Sequence, residues 1–185
     1  MPTQKIYLQW GTWINGLDVG GPSHGGDSYM KVGCHTWSGA DAPARPILKF
    51  NSDGFSGQIV SVTLNFTTGS EGLFTSFMPY RVVRTSNANA VWVNSGVSDW
   101  GLAGAGAASD RSFTPLCDWV GLGASAAHSI PLTNLTEFNS VLSGLYTIIF
   151  VENYVGGRYR YILKTPTPYL AVEYTTSLVG GIQIF

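Results

Sequence analysis

The chain has 185 residues, a formal net charge of −1 at pH 7 and 11% charged side chains, whereas 44% of its residues are hydrophobic and 13% are aromatic. So little charge excludes the basic surface that nucleic-acid binding requires, and the aromatic content argues against disorder. With 23 glycines and no long stretch of helical periodicity, the composition predicts one all-β domain, a sandwich or barrel with many turns. No stretch has the length of a membrane span, and none has the pattern of a secretory leader.

Alternating apolar and polar residues predict strands along most of the chain, with glycine or proline between them. The predicted strands cover residues 5–8, 10–14, 28–33, 47–50, 59–66, 77–84, 91–93, 129–132, 146–151, 158–163 and 169–174. The segment 10–14 is either a second short strand or the continuation of the first. Loops are predicted over residues 15–27, 34–46 and 94–129. The segment 132–142 predicts a helix of about three turns at most, with Thr133 or Asn134 as its cap.

The strand at 59–66 alternates most regularly along the chain. Its pattern predicts a core-facing row made of Val60, Val62, Leu64 and Phe66. The residues that follow it, 67–72, are polar and predict a turn.

Two later strands carry more specific expectations. Pro79 predicts that its strand lies at an edge or contains a bulge, because proline donates no ladder hydrogen bond. The apolar run 146–151 predicts a strand that is buried on both faces. The Gly156–Gly157 turn predicts that this strand forms a hairpin with 158–163.

Cys34 and Cys117 are the only cysteines in the sequence. Two cysteines in a chain of this size do not form a disulfide framework. They can pair in an oxidising compartment, but two buried free thiols are the simpler interpretation.

No motif in the sequence indicates a catalytic residue or a metal site. Gly21–Gly25 matches the G-x-S-x-G pattern of a nucleophile elbow, but the strand and helix that this elbow needs are not predicted around it. The three histidines lack ligand spacing, and no pair of acids can be nominated for sugar hydrolysis. An enzyme is therefore not expected. No cofactor is predicted, although a structural calcium stays open on the loop carboxylates Asp18, Asp27, Asp53 and Asp110.

Several segments follow one another in a recognisable order. They are SYMKVG at 28–33, RPILKF at 45–50, QIVSVTLNF at 58–66, the series Trp92, Trp100, Gly104 and Asp110, and PYLAVEY at 168–174. This order resembles the DNRLRE domain family, which is related to the disaggregatase-type and alginate-binding carbohydrate-binding modules. The resemblance spans nearly the whole chain, and members of the family occur in secreted, cell-wall and phage structural proteins.

The resemblance implies a fold and a domain organisation. The expected fold is an antiparallel β-sandwich of jelly-roll type, with about eight to ten strands and at most one short helix. The expected domain covers residues 1–176. The remaining segment, 177–185, is apolar, which is unusual for a terminus, and is expected to dock on its own domain or on a neighbour.

Exposed aromatic side chains are the candidates for ligand binding, because sugars stack on flat aromatic faces. Most of the tryptophans are expected in the core. The candidates are the aromatic residues on predicted loops, with an arginine beside the Gly-Gly turn: Trp37, Trp100, Trp119, Tyr154 and Arg158.

These observations predict a non-catalytic structural or adhesion module. The missing leader, the apolar tail and the start at Met1 favour a phage virion component of the capsid-decoration, fibre or tail receptor-binding type. The alternative is a carbohydrate-binding module of a secreted or cell-surface bacterial protein. The expected location is thus the virion or the extracellular space. The expected partners are other virion or cell-surface proteins, further copies of the chain in a homo-oligomer, and surface glycans.

Overall fold

The protein is described by a computed structural model over residues 1–15, 24, 26–37, 40–52, 57–82, 110–139, 145–153 and 157–175. This part of the chain forms strands and one short helix: β1 (Thr3–Asn15), β2 (Tyr29–Trp37), β3 (Ala40–Asn51), β4 (Gln58–Gly72), β5 (Thr75–Arg81), β6 (Val120–Leu122), β7 (Ala127–Pro131), α1 (Thr136–Asn139), β8 (Leu145–Glu152), β9 (Tyr159–Leu163) and β10 (Tyr169–Thr175). Every strand pairing is antiparallel. The predicted all-β, antiparallel fold with at most one short helix is confirmed.

The sheet closes on itself. Strands β1, β10, β4, β9, β2 and β3 follow one another, and β3 pairs again with β1. This circuit is a six-stranded barrel, from which β8, β5 and β6 continue beyond β3 and β7 pairs with β4. The composition predicted a sandwich or a barrel and the resemblance implied a jelly-roll sandwich; the pairing of β3 with β1 closes six of the strands into a barrel.

The first strand is continuous, and the second and third are longer than predicted. β1 takes in both predicted segments, with a register shift between Leu8 and Trp10. The loop predicted over 34–46 was wrong, because β2 runs to Trp37 and pairs with the beginning of β3, including Cys34 opposite Pro43. Proline and glycine suggested a loop there, but pairing with neighbouring strands outweighs these local preferences.

β4 corrects two predictions at once. Val62, Leu64 and Phe66 face the core as expected, but Val60 is 36% exposed and Ile59 is buried in its place. The reason is a bulge, since Ser61 pairs with Glu173 and Ile59 with the next residue of β10. The turn predicted over 67–72 was also wrong, because β4 continues to Gly72 by pairing with β9.

The hairpin predicted between 146–151 and 158–163 was wrong as well. β8 pairs with β3 and β5, whereas β9 pairs with β2 and β4. The strand β8 is buried on both faces, as predicted, from Tyr146 to Phe150. A strand that is already paired on both sides has no free edge for the strand that follows it.

Pro79 and the short helix lie at one end of the sheet. Pro79 is beyond the part of β5 that pairs with β6, and its carbonyl accepts a hydrogen bond from Leu116 N–H. An edge position was one of the two predicted for it. The described helix is limited to Thr136–Asn139, and its Glu137 pairs with Arg81 at 2.8 Å.

The largest core cluster joins residues of the closed circuit to residues of the strands beyond it. It includes Phe66, Phe77 and Phe150, and the rings of Phe77 and Phe150 stack with their centres 4.0 Å apart. Cys34 and Cys117 are both buried thiols that form no disulfide, which confirms the simpler interpretation of the two cysteines. The predictions for most of the loop at 15–27, the strand at 91–93 and the tail at 177–185 concern residues outside the described ranges.

Candidate functional site

An open cleft of about 590 Å³ lies on the outer side of β2, β4 and β9. It combines two aromatic rings with hydroxyl groups and one carboxylate, which come from Tyr29, Tyr161, Ser28, Thr67, Ser70 and Glu71. The three strands come from distant parts of the sequence, and the closed sheet brings them together.

The aromatic wall of the cleft follows from the period of two along β2 and β9. Met30 and Ile162 point into the core and are fully buried, so the residues beside them point outward. Lys31 is directly opposite Tyr161 in this pair of strands. The rings of Tyr29 and Tyr161 lie 4.2 Å apart between centres at an angle of 42°, and Tyr159 follows at 5.5 Å from Tyr161.

The polar wall is a bulge at the end of β4. Thr68 pairs with Ile162 and Gly72 with Arg160, so four steps along β4 match two steps along β9. The extra residues carry Ser70 and Glu71 into the cleft. The buried Arg160 holds this bulge, since its guanidinium donates to the carbonyl of Ser70 at 3.4 Å and to that of Glu71 at 3.1 Å.

Gly72 makes the bulge possible. Its φ is +90°, a conformation that side chains rarely adopt, and a Cβ there would meet the carbonyl oxygen of Tyr159. The position therefore requires glycine for two independent reasons.

Hydrogen bonds of Thr68 connect the β4 side of the cleft to the segment that precedes β7. Its hydroxyl donates to the carbonyl of Gly123 at 2.8 Å and accepts from Ala126 N–H at 3.2 Å. His128 lies 3.1 Å from the same hydroxyl and stacks on Phe66. Burial lowers the pKa of His128, and a hydrogen bond with the Gly123 backbone opposes this in part. The neutral imidazole is thus the form that suits this position.

The phenol of Tyr161 stays protonated at any physiological pH. Burial, followed by the neighbouring Tyr159 and Tyr29, a hydrogen bond with Tyr159 and the charge of Glu71, raises the pKa of Tyr161 to about 12. Its hydroxyl therefore acts as both donor and acceptor of hydrogen bonds.

A cluster of charged and aromatic groups supports the wall from the side of β1. His24 stacks on Trp13 with ring centres 3.6 Å apart, and Asp27 accepts a hydrogen bond from the Trp13 indole at 3.1 Å. Lys31 is nearly buried beneath them. Burial lowers the pKa of the Lys31 ammonium, and the charge of Asp27 raises it in part.

The five residues predicted from sequence are not gathered in this cleft. Trp100 and Tyr154 lie outside the described residues, and of Trp37 only the backbone, at the end of β2, is described. Trp119 is half exposed next to β6, and Arg158 is exposed just before β9. Neither of these two lines the cleft. Ligand binding by the five residues stays a prediction.

Sequence reasoning did not select Tyr29, Tyr161 or Glu71 as site residues, although the signal for the two tyrosines was present. In SYMKVG, Tyr29 alternates with buried residues, as Tyr159 and Tyr161 do in RYRYIL. Two tyrosine-bearing outward faces on neighbouring strands would have pointed to the wall. The position of Glu71 depends on a bulge, which alternation does not indicate.

A second surface feature lies beside β6, the last strand in the strand order. Leu73, Phe74 and Trp119 are exposed by 60%, 56% and 49% of their surfaces. Phe74 lies against Gly121 of β6, two residues from Trp119. These side chains form an apolar surface beside the terminal strand β6, called the β6 surface below.

Comparison of the chain with protein-family models and with curated proteins finds no match. Within the described ranges, no three His, Cys, Asp or Glu side chains are arranged to hold a metal ion. None of the described residues forms a helix with the length and apolar character needed to cross a membrane.

Proposed function

We propose that the protein is a non-catalytic adhesion module that binds carbohydrate in the cleft between β2, β4 and β9. The observation that carries this proposal is the pairing of the Tyr29 and Tyr161 rings with hydroxyls and a carboxylate in one open cleft. Binding sites of this kind combine an apolar wall with a small number of placed polar groups.

The chemistry of a sugar ring matches both walls of the cleft. The C–H groups of a pyranose form an apolar face that stacks on tyrosine rings. Its hydroxyls are donors and acceptors, and the Glu71 carboxylate accepts such bonds strongly because it is charged. The hydroxyls of Ser70 and Thr67 can do either. A glycan lying along the cleft therefore finds partners on both sides.

Binding without catalysis fits the charged groups of the cleft. Hydrolysis of a glycosidic bond uses a pair of carboxyl groups on opposite sides of the scissile bond. Among the described lining residues, Glu71 is the one carboxylate. The resemblance to carbohydrate-binding modules points to the same class of function.

The module is proposed to work on a virion, as part of a capsid decoration, fibre or tail, where glycan adhesion serves attachment. A specific observation favours an additional assembly role. The β6 surface exposes Leu73, Phe74 and Trp119 together, and clustered exposed apolar side chains are typical of protein contacts. The alternative location is a secreted or cell-surface bacterial protein, where the same cleft would bind the same class of ligand.

A glycan array tests the proposal directly. The intact chain is expected to bind a subset of surface glycans, and the Tyr161→Ala variant is expected to lose that binding. Tyr7→Ala serves as the matched control, because it removes a 55% exposed tyrosine that does not line the cleft. Equal binding by the wild type and Tyr161→Ala, or no binding by the wild type, contradicts the proposal. Light scattering of Phe74→Ser against the wild type tests the assembly role, for which a smaller species is expected.

A further inference from the structure

Lys31 is an unusual buried residue behind the aromatic wall of the cleft. It is 6% exposed, and its Nζ lies 5.0 Å from the ring centre of Trp13, 5.0 Å from that of Tyr159 and 5.5 Å from that of Tyr161. An ammonium over an aromatic face is attracted by the ring quadrupole, and the attraction is stronger when water is excluded. One cation therefore contacts three rings, and one of these rings lines the cleft.

The position of Lys31 connects the strands that form the wall. It belongs to β2, directly opposite Tyr161 of β9, while Trp13 belongs to β1. A tyrosine ring on a sheet surface has freedom about its side-chain torsions unless its neighbours fix it. The shared ammonium limits that freedom for Tyr159 and Tyr161 together.

The same charge affects which ligands the rings accept. The negative faces that attract a cation are already engaged by Lys31, so a second ammonium on these rings meets a like charge nearby. On the other wall, the carboxylate of Glu71 is close enough to Tyr161 to affect its pKa. This carboxylate repels an anionic ligand. Each of the two charges also attracts the opposite sign, so a charged glycan meets repulsion at one wall and attraction at the other, whereas an uncharged glycan meets neither.

We infer that Lys31 is a positioning residue that fixes the tyrosine wall and, together with Glu71, restricts the cleft to uncharged glycans. This inference rests on the proposed carbohydrate binding and names its ligand class. Lys31 acts through the rings of Tyr159 and Tyr161.

Three variants of the full chain separate this role from a general effect on folding. Lys31→Met keeps the length and apolar stem of the side chain but removes its charge. Lys31→Arg keeps the cation. Lys5→Met is the matched control, because the Lys5 Nζ lies 4.8 Å from the ring centre of Tyr169, away from the residues that line the cleft. Thermal unfolding of each variant shows that it is folded under the conditions of the assays.

The first measurement needs no ligand. The NMR signals of ring-labelled Tyr159 and Tyr161 are expected to shift and to show faster ring motion in Lys31→Met. They are expected to stay near their wild-type positions in Lys31→Arg and in Lys5→Met. Unchanged signals in a folded Lys31→Met variant would overturn the positioning role, whatever the protein binds.

The second measurement compares three ligand classes by titration. The uncharged probes are oligosaccharides of chitin, cellulose, mannan and galactan, the cationic probe is chitosan, and the anionic probe is oligogalacturonate. The wild type is expected to bind an uncharged probe and neither charged one. Lys31→Met is expected to bind the uncharged probe about tenfold more weakly and to gain binding of chitosan, with Lys31→Arg close to the wild type.

The outcomes distinguish the two proposals. If the wild type binds no glycan, the proposed function is wrong, and so is the inferred restriction to uncharged glycans. If the wild type binds the uncharged probe and Lys31→Met binds it equally well, the role of Lys31 alone is wrong. If the wild type binds chitosan or oligogalacturonate as tightly as the uncharged probe, the charge selection is wrong.

Discussion

Two of the aromatic clusters in the described part of the chain are similar in size but opposite in character. Phe66, Phe77 and Phe150 form the inner cluster, in which all three side chains are buried and the rings of Phe77 and Phe150 stack. Tyr29, Tyr159 and Tyr161 form a cluster on the outside of the same sheet, beside a cleft. The difference teaches that aromatic content alone does not indicate function, whereas the face of the strand and the presence of a hydroxyl do.

The two clusters are held by different forces. The phenylalanines are stabilised by removal of apolar surface from water and by close packing. The tyrosines keep hydroxyls at the surface and gain their order from Lys31 and from a hydrogen bond between Tyr159 and Tyr161. Substitutions in the first cluster should therefore affect stability, and substitutions in the second should affect binding.

The largest effect is expected for Phe150→Ala in the inner cluster. Removing this ring leaves a cavity and should lower the free energy of unfolding by about 3–5 kcal/mol. Chemical denaturation measures the change. Below its unfolding transition, the variant should keep the glycan affinity of the wild type. A loss of less than about 1 kcal/mol would show that Phe150 is not part of a tightly packed core.

Gly72→Ala is expected to affect both properties, since the bulge it permits carries the polar wall. The added Cβ meets the Tyr159 carbonyl and the φ of +90° becomes strained. The free energy of unfolding should fall by about 1–3 kcal/mol, and glycan binding should weaken. Gly123→Ala is the control, because a Cβ at Gly123 meets no atom within 4 Å. Equal stability of the two variants would contradict the role of the bulge.

Tyr161→Ala should change binding far more than folding. Loss of the stacking ring is expected to weaken glycan binding by about tenfold. The free energy of unfolding should change by less than in Phe150→Ala, because the ring is only partly buried. Isothermal titration and denaturation give the two numbers. Tyr7→Ala, which removes a 55% exposed tyrosine outside the cleft, should leave both close to the wild type.

The smallest expected effect is the pH dependence of stability that comes from His128, whose ring stacks on Phe66 of the inner cluster. The pKa of His128 is lowered in the folded protein, so the neutral form adds stability above the ordinary histidine pKa of about 6.5. That contribution is lost as the pH falls below this value towards the lower pKa of the folded state. A His128→Asn variant should therefore lose less stability than the wild type between pH 7 and pH 5. An equal change in the free energy of unfolding between pH 7 and pH 5 in the two proteins would contradict this contribution of His128.

The sequence predicts the parts of this fold that depend on local alternation. Apolar spacing predicts the all-β class and the burial of β8. It also predicts that Val62, Leu64 and Phe66 face the core. The continuation of β2 to Trp37 does not follow from apolar spacing, because it depends on a partner strand whose prolines argue for a loop. The burial of Ile59 in place of Val60 does not follow from apolar spacing either, because the alternation of apolar and polar residues does not indicate a bulge.

The cleft was harder to predict than the fold for a related reason. Tyr29, Glu71 and Tyr161 are far apart in the sequence, and only the pairing of β9 with both β2 and β4 brings them together. The predicted hairpin between β8 and β9 would have placed the tyrosines of β9 elsewhere. Because β9 was assigned the wrong neighbouring strand, the sequence did not predict the cleft.

The two buried thiols have a practical consequence for studying the cleft. Cys34 is fully buried, and burial, with the charge of Asp118 adding to it, raises the pKa of Cys117 to about 11. Burial shields Cys34 from reagents, and Cys117 is a poor nucleophile at neutral pH because the reactive species is the thiolate. A cysteine introduced at the rim of the cleft in place of Ser70 would therefore accept a maleimide dye selectively, without removal of the native cysteines. Such a labelled protein would report ligand binding as a change in fluorescence.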